Sequence, residues 1–261
     1  MSHCRRYAWL AILCVATAGC SSASRVPDDE LRLMQLAQSV DQRGDSASAV
    51  ALYERAARLS PDSRGIQLAL GNARLKQGDM QGATAAFRDV LTHHPDDAEG
   101  LLGLGTAALQ SGEPHRAARL LAQAAPKIGS ANAYNRWGVA AAFAGDFEVS
   151  AKAFEQAAAL APENLDIRTN AALAWALLGD HDRAVTHIAQ VTRSPLAQSR
   201  HSRQEALIRM LAGDPTGAQR ALADLPADQR QTLLTSARAI QDIADPSARA
   251  KAMGLMARQS D

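Results

Sequence analysis

A glycine followed by an acidic residue returns at a near-constant interval through most of this 261-residue chain. The pairs Gly44-Asp45, Gly78-Asp79, Gly112-Glu113, Gly145-Asp146, Gly179-Asp180 and Gly213-Asp214 are separated by 34, 34, 33, 34 and 34 residues. Five residues after each glycine stands a small side chain: Ala49, Ala83, Ala117, Ser150, Ala184 and Ala218. Turn statistics do not produce so regular a period. A stack of repeated supersecondary units does, because each unit buries the apolar face that its neighbour leaves open. Six units exceed the roughly three that such a stack needs for a continuous core.

The fourth unit, residues 131–164, reads ANAYNRWGVAAAFAGDFEVSAKAFEQAAALAPEN. Tyr134, Trp137, Gly138 and Ala141 recur at spacings of three and four, which is one face of a helix. Gly145 ends that helix, since glycine adopts the left-handed cap conformation at little cost. Asp146 is placed to cap a second helix, whose face carries Ser150, Phe154 and Ala157 and which Pro162 stops. Composition agrees: the chain is 47% apolar but only 4% aromatic, with alanine dominant, which suits close-packed helices better than strands.

This pattern resembles the tetratricopeptide repeat, a pair of antiparallel helices with fixed small and aromatic positions. The resemblance implies an all-α solenoid of about six helix-turn-helix repeats over residues 30–226, with capping helices over 227–261. Gly138 and Ser150 then sit where paired helices cross, and Phe154 fills the space beside them. The remaining repeats carry Leu36-Ala37 and Tyr53; Leu70-Gly71 and Phe87; Leu104-Gly105 and Leu121; Ala171-Ala172 and Ile188; and, more weakly, Glu205-Ala206 and Leu222. The third loses a residue and its closing proline before Gly129. Beyond them, Leu233, Leu234, Ala237 and Ile240 share a helix face, and Asp245-Pro246 opens a last helix expected to run to about Arg258.

In such arrays the first helix of each pair lines a concave groove. Laid on this chain, the pattern puts Leu68, Asn72 and Leu75 in the groove, then Leu102, Thr106 and Leu109. Repeat four adds Asn132, Asn135, Val139 and Phe143; repeat five, Thr169, Leu173 and Leu177; repeat six, Arg203, Leu207 and Met210. That surface reads as apolar with scattered amides, fit for an extended or helical peptide with apolar anchors. It lacks the lysine set with which some relatives clamp a C-terminal carboxylate. Packing of these leucines against the next helix is the competing reading.

The N-terminus is of a different kind. Arg5-Arg6 precede Tyr7 to Ala18, twelve residues in which only Thr17 is polar apart from the cysteine. As a helix they reach about 18 Å, short of the roughly 30 Å hydrocarbon core, which marks a signal peptide over residues 1–19. Thr17-Ala18-Gly19-Cys20 resembles the bacterial lipobox. That resemblance implies that Cys20 becomes the first mature residue, acylated on its sulfur and its amine. An ordinary secretory signal with a chance cysteine is the alternative. One acyl chain binds a membrane marginally and two hold firmly. Cys4 and Cys14 leave with the signal, so Cys20 is alone in the mature chain and has no intrachain disulfide partner. Ser21 rather than aspartate follows it, which in lipoproteins of this kind implies the outer membrane. Residues 20–29, polar and with Pro27, read as a flexible tether.

Charge and motifs exclude several functions. The net charge is +1, and loss of Arg5 and Arg6 leaves 26 basic against 27 acidic side chains, no field for nucleic acid. Gly103-Leu104-Gly105-Thr106-Ala107-Ala108 fits a relaxed dinucleotide fingerprint, but lies where a helix is expected and not between strand and helix. His93-His94 point in different directions, and His181 and His187 are six apart, so neither pair makes a metal site. HExxH, GxSxG and GxxxxGK are all missing from the sequence. The reading is a non-enzymatic protein without cofactor, metal or small-molecule substrate.

The second half of the chain carries a narrower likeness. AYNRWGVAAAFAGD, IRTNAALAWALLGD and SRQEALIRMLAGDPTGAQRALADLPADQ resemble the tetratricopeptide lipoproteins of the tight-adherence (Flp/Tad-type) pilus assembly system. The tract Arg203 to Gln229 is its most particular part. The resemblance implies an outer-membrane lipoprotein facing the periplasm that helps the pilus secretin assemble, as pilotins do. A pilotin-like factor for type IV pili or a secretion system, and a periplasmic adaptor for a cell-wall enzyme, are the alternatives.

Overall fold

The computed structural model describes residues 25–255, and these form fourteen helices. Six antiparallel pairs follow in order: α1 (Arg25–Gln42) with α2 (Ser46–Leu59), α3 (Arg64–Gln77) with α4 (Met80–His93), and α5 (Ala98–Gln110) with α6 (Pro114–Ile128). They continue with α7 (Ala131–Phe143) and α8 (Phe147–Leu160), α9 (Leu165–Leu178) and α10 (His181–Thr192), and α11 (Ser199–Leu211) and α12 (Pro215–Ala221). Two further helices, α13 (Ala227–Gln241) and α14 (Pro246–Ala252), close the described chain. Through α12, each helix packs chiefly on the one before and the one after it, so these repeats form an α-solenoid.

The recurrent corner works as its residues dictate. The six glycines of the glycine-acidic pairs all adopt φ between 74° and 89°, a region that side-chain-bearing residues rarely occupy. Asp45, Asp79, Asp146, Asp180 and Asp214 then each accept a hydrogen bond from the backbone N–H three residues on, capping the second helix. Glu113 does not; its longer side chain pairs with Arg116, and Pro114, which has no N–H to satisfy, starts the helix instead. The amide of Gly217, with the Arg209 guanidinium beside it, holds the Asp214 carboxyl below the usual range.

Small residues let the pairs close up. The residue five positions after each corner glycine is fully buried in all six repeats. The Phe87 ring of α4 lies against two glycines of neighbouring helices. A Cβ on Gly71 of α3 would come within 2.7 Å of it, and one on Gly103 of α5 within 2.3 Å. Phe154 of α8 stands likewise against Gly138 of α7, and Leu121 of α6 against Gly105 of α5. Gly103 and Gly105 are thus helix-packing positions in the middle of α5, not a phosphate loop.

Three boundaries differ from expectation. The first helix begins at Arg25, so the last five residues of the expected tether are helical; Pro27 is tolerated there because first-turn amides have no intrahelical partner. In the third repeat the proline lies inside the last turn of α6, as Pro126, and Gly129 at φ 67° makes the stop. The last helix ends at Ala252 and not near Arg258, because Gly254 at φ 83° turns the chain. The sixth pair is incomplete as well. Its second helix stops at Ala221, five residues ahead of Pro226.

Two substitutions test this packing. Ser150 is fully buried and its hydroxyl has no hydrogen-bond partner among the described residues, while the other five repeats carry alanine there. Ser150→Ala removes that cost and is expected to stabilise the protein by about 1 kcal/mol, read as a higher urea midpoint. Phe87→Ala leaves a void facing Gly71 and Gly103 and is expected to destabilise by roughly 3–5 kcal/mol in the same titration.

Candidate interaction surface

The first helices of successive pairs meet along one inner face, with α3 against α5, α5 against α7 and α9 against α11. Polar rungs cross it. Arg136 of α7 donates to Thr106 Oγ1 of α5 at 2.9 Å, and Asn170 Nδ2 of α9 donates to Asn135 Oδ1 of α7 at 3.0 Å. Arg200 of α11 holds both carboxylate oxygens of Asp166 on α9, at 2.9 and 3.0 Å. His201 is 2% exposed and stands beside them. Its Nδ1 accepts the Gln198 backbone N–H at 2.9 Å, which leaves Nε2 as the donor to Asp166 at 3.2 Å. This histidine serves as part of the cap of α11.

The sixteen expected groove residues divide by burial. Asn72, Asn132 and Arg203 are exposed, and Leu102, Leu109 and Phe143 are half-buried. Leu68, Leu75, Thr106, Asn135, Val139, Thr169, Leu173, Leu177, Leu207 and Met210 are buried. The expectation of an apolar inner surface is therefore corrected: most of its aliphatic side chains belong to the core. Leu68 and Leu75 join the cluster around Phe87, and Val139, Leu173, Leu177, Leu207 and Met210 join the one around Phe154. What remains at the surface is largely polar.

Part of that burial comes from the chain's own C-terminal end. Helix α13 packs on α11, and α14 then folds back onto α7. Ala250, Met253 and Leu255 belong to the same apolar cluster as Val139, Leu173 and Leu207. Pro246 lies against Gly145, and Lys251 Nζ sits 5.4 Å from the centroid of the Phe143 ring. The sequence marks α14 as a helix through Asp245-Pro246 but carries no sign of where it docks.

The inner face from the first repeat to the start of the fourth is different. A cavity of about 390 Å³ there is lined by Asp41, Tyr53, Ala69, Asn72, Leu75, Lys76 and Arg136. Lys76 is paired with Asp41 at 2.7 Å. Arg136 has only neutral acceptors among the described residues, Thr106 Oγ1 and Asn132 Oδ1 at 2.9 Å each. Burial lowers its guanidinium pKa from the ordinary value. A half-buried cation without a counter-charge is a strong donor to the carboxylate or amide of an incoming peptide. The sequence reading passed over Arg136, since a single arginine on a helix is usually just solvated.

The residues weighed for catalysis or metal binding are scattered. His93 and His94 are exposed at the end of α4, and His187 Nε2 lies 3.9 Å from Glu155 on the outer layer. Among the described residues no group of three His, Cys, Asp or Glu is placed to hold a metal ion, and no helix is long and apolar enough to cross a membrane. Cys20 and its lipobox lie outside the described residues.

Core and surface positions of this face separate by experiment. Val139→Glu buries a charge among Phe154, Leu173 and the tail, and is expected to cost roughly 3 kcal/mol or more, seen as a collapsed thermal transition. Arg136→Gln keeps a donor and is expected to shift the same transition by no more than about 0.5 kcal/mol.

The comparisons agree with this architecture. The family model described as Tetratricopeptide repeat matches residues 34–91, 68–133 and 135–197. No curated protein matches the chain. Among solved structures, PilW, a widely conserved type IV pilus biogenesis factor, has a TM-score of 0.66 and 20% identity, over 78% of this chain and 98% of its own. Pseudomonas aeruginosa pilF has a TM-score of 0.64 and 14% identity, over 81% and 99%. A tetratricopeptide repeat protein from Parabacteroides merdae has 0.64 and 15%, over 87% and 94%. At such identities these likenesses establish the fold. With the family model covering more than half of its residues, the chain belongs to the tetratricopeptide-repeat family.

Proposed function

We propose that this protein is a lipid-anchored, periplasm-facing scaffold of the outer membrane that serves assembly of the Flp/Tad pilus, supporting its secretin in the manner of a pilotin. It acts by binding protein, not by catalysis. The observation that carries this reading is the tract Arg203 to Gln229. It builds α11, the shortened α12 and the turn into α13, where the repeat departs from its generic form. The lipobox ending in Cys20 adds the anchor, and the polar inner face around Asn72 and Arg136 offers a surface for an extended partner segment.

A pilotin-like role in type IV pili is the second reading, favoured by the likeness to PilW over most of the chain. Co-purification separates the two, because each machine has its own secretin. An adaptor for a cell-wall enzyme would show itself as altered cell shape or lysis.

Deletion of the gene is expected to abolish Flp pili, surface adherence and biofilm, with secretin multimers lost from outer-membrane fractions. Normal multimers and normal piliation in the deletion strain would refute the proposal. Cys20→Ala is expected to move the protein out of the outer-membrane fraction and to reproduce the deletion phenotype at unchanged protein level.

A further inference from the structure

The C-terminal tail packs on first helices of the later repeats. Helix α14 crosses from the end of α13 to the inner side of α7, a contact between segments about a hundred residues apart. Its anchors are few and specific. Ala250, Met253 and Leu255 are 0%, 1% and 0% exposed, inserted among inner-face residues of the fourth to sixth repeats. Lys251 faces the Phe143 ring, and Asp245 caps the helix by accepting the Ala248 N–H at 2.6 Å.

The seat is also imperfectly filled. Gly254 borders two cavities of about 210 and 240 Å³. One reaches the inner-face residues Asn135, Thr169 and Leu173, and the other opens between α11 and α13 towards Leu207 and Leu234. Both are clefts open to solvent, of the kind left beside a docked segment that is smaller than its groove. Met253 borders only the second cleft, and the helix ahead of it is two turns long.

We propose that α14 is a resident, displaceable ligand of the inner face over repeats four to six. The groove takes a short capped helix with a small residue, a methionine-sized residue three positions on, and a basic side chain over Phe143. An external partner carrying such a helix binds there by displacing the tail. Tethering gives α14 an effective concentration on the order of millimolar, so it screens out weak ligands and yields to a segment that fills the two cavities better. The inference rests on the inner face being the interaction surface, but not on the identity of the pilus system.

The probe is a fluorescein-labelled synthetic peptide of residues 244–255, added to the full chain and followed by anisotropy. The wild-type protein is expected to bind it weakly, since the seat is taken. The full-length double variant Met253→Asp with Leu255→Asp is expected to bind it at least tenfold more tightly, with helix content retained. Equal affinity for the two proteins, or a folded double variant that does not bind, would overturn the proposal. Hydrogen exchange on the wild-type chain gives a check that needs no variant. Amides of α14 should exchange at least tenfold faster than those of α7 and α9, and exchange only through global unfolding would overturn the proposal. Neither failure touches the piliation phenotype of a deletion strain, so the two readings fail separately.

Discussion

The packing of Phe87 and Phe154 against backbone is the contact on which this solenoid depends. Each ring stands where the opposing helix carries glycine: Gly71 and Gly103 for Phe87, Gly138 for Phe154. Since added side chains there would overlap the rings, the helices approach as closely as they do only with hydrogen at those positions. The fully buried alanines and Ser150 do the same for the crossing within each pair. At the equivalent positions of the other repeats stand Tyr53, Leu121, Ile188 and Leu222, all buried. The left-handed corner and the aspartate cap then only have to return the chain to its starting height.

That economy has a consequence for the surface. When first helices pack this tightly, the aliphatic residues they aim inward are shared between neighbours, and little apolar area is left over. The inner face becomes a ladder of polar rungs, Arg136 to Thr106, Asn170 to Asn135, Arg200 to Asp166, above a buried aliphatic floor. From the first repeat to the start of the fourth the ladder is open and includes the half-buried Arg136 guanidinium, which meets only neutral acceptors among the described residues. At the fourth repeat it is covered by α14, which packs on α7. One continuous face thus has two regimes, one accessible and one occupied by the chain itself.

Legibility in the sequence followed the range of the physics. The corners, caps and helix-crossing residues were readable because they obey rules spanning four to six residues, and the structure keeps them where the spacing put them. One exception was local too: Glu113 fails to cap because its side chain is one carbon too long. The groove was legible as a set of positions but not as a surface. Val139 and Leu173 have the periodicity of inward-facing residues, yet periodicity does not say whether the inward side meets solvent, another helix or a returning tail. Arg136, His201 and Asn170 escaped notice for the same reason, since their partners are about 30 residues away or more in sequence or, for the His201 cap, need the helix start to be known.

The sequence by itself determined the all-α class, the number of helix pairs, the places where they turn and the small residues on which they close. Those are consequences of backbone conformation and of side-chain volume at a fixed period. Only the tertiary structure decided which inward residues are core, where a half-buried cation meets only neutral acceptors among the described residues, and that α14 docks on α7 instead of extending the stack. Docking of the tail is a long-range contact of a few apolar atoms, and its energy depends on the shape of a groove that exists only after the repeats have stacked.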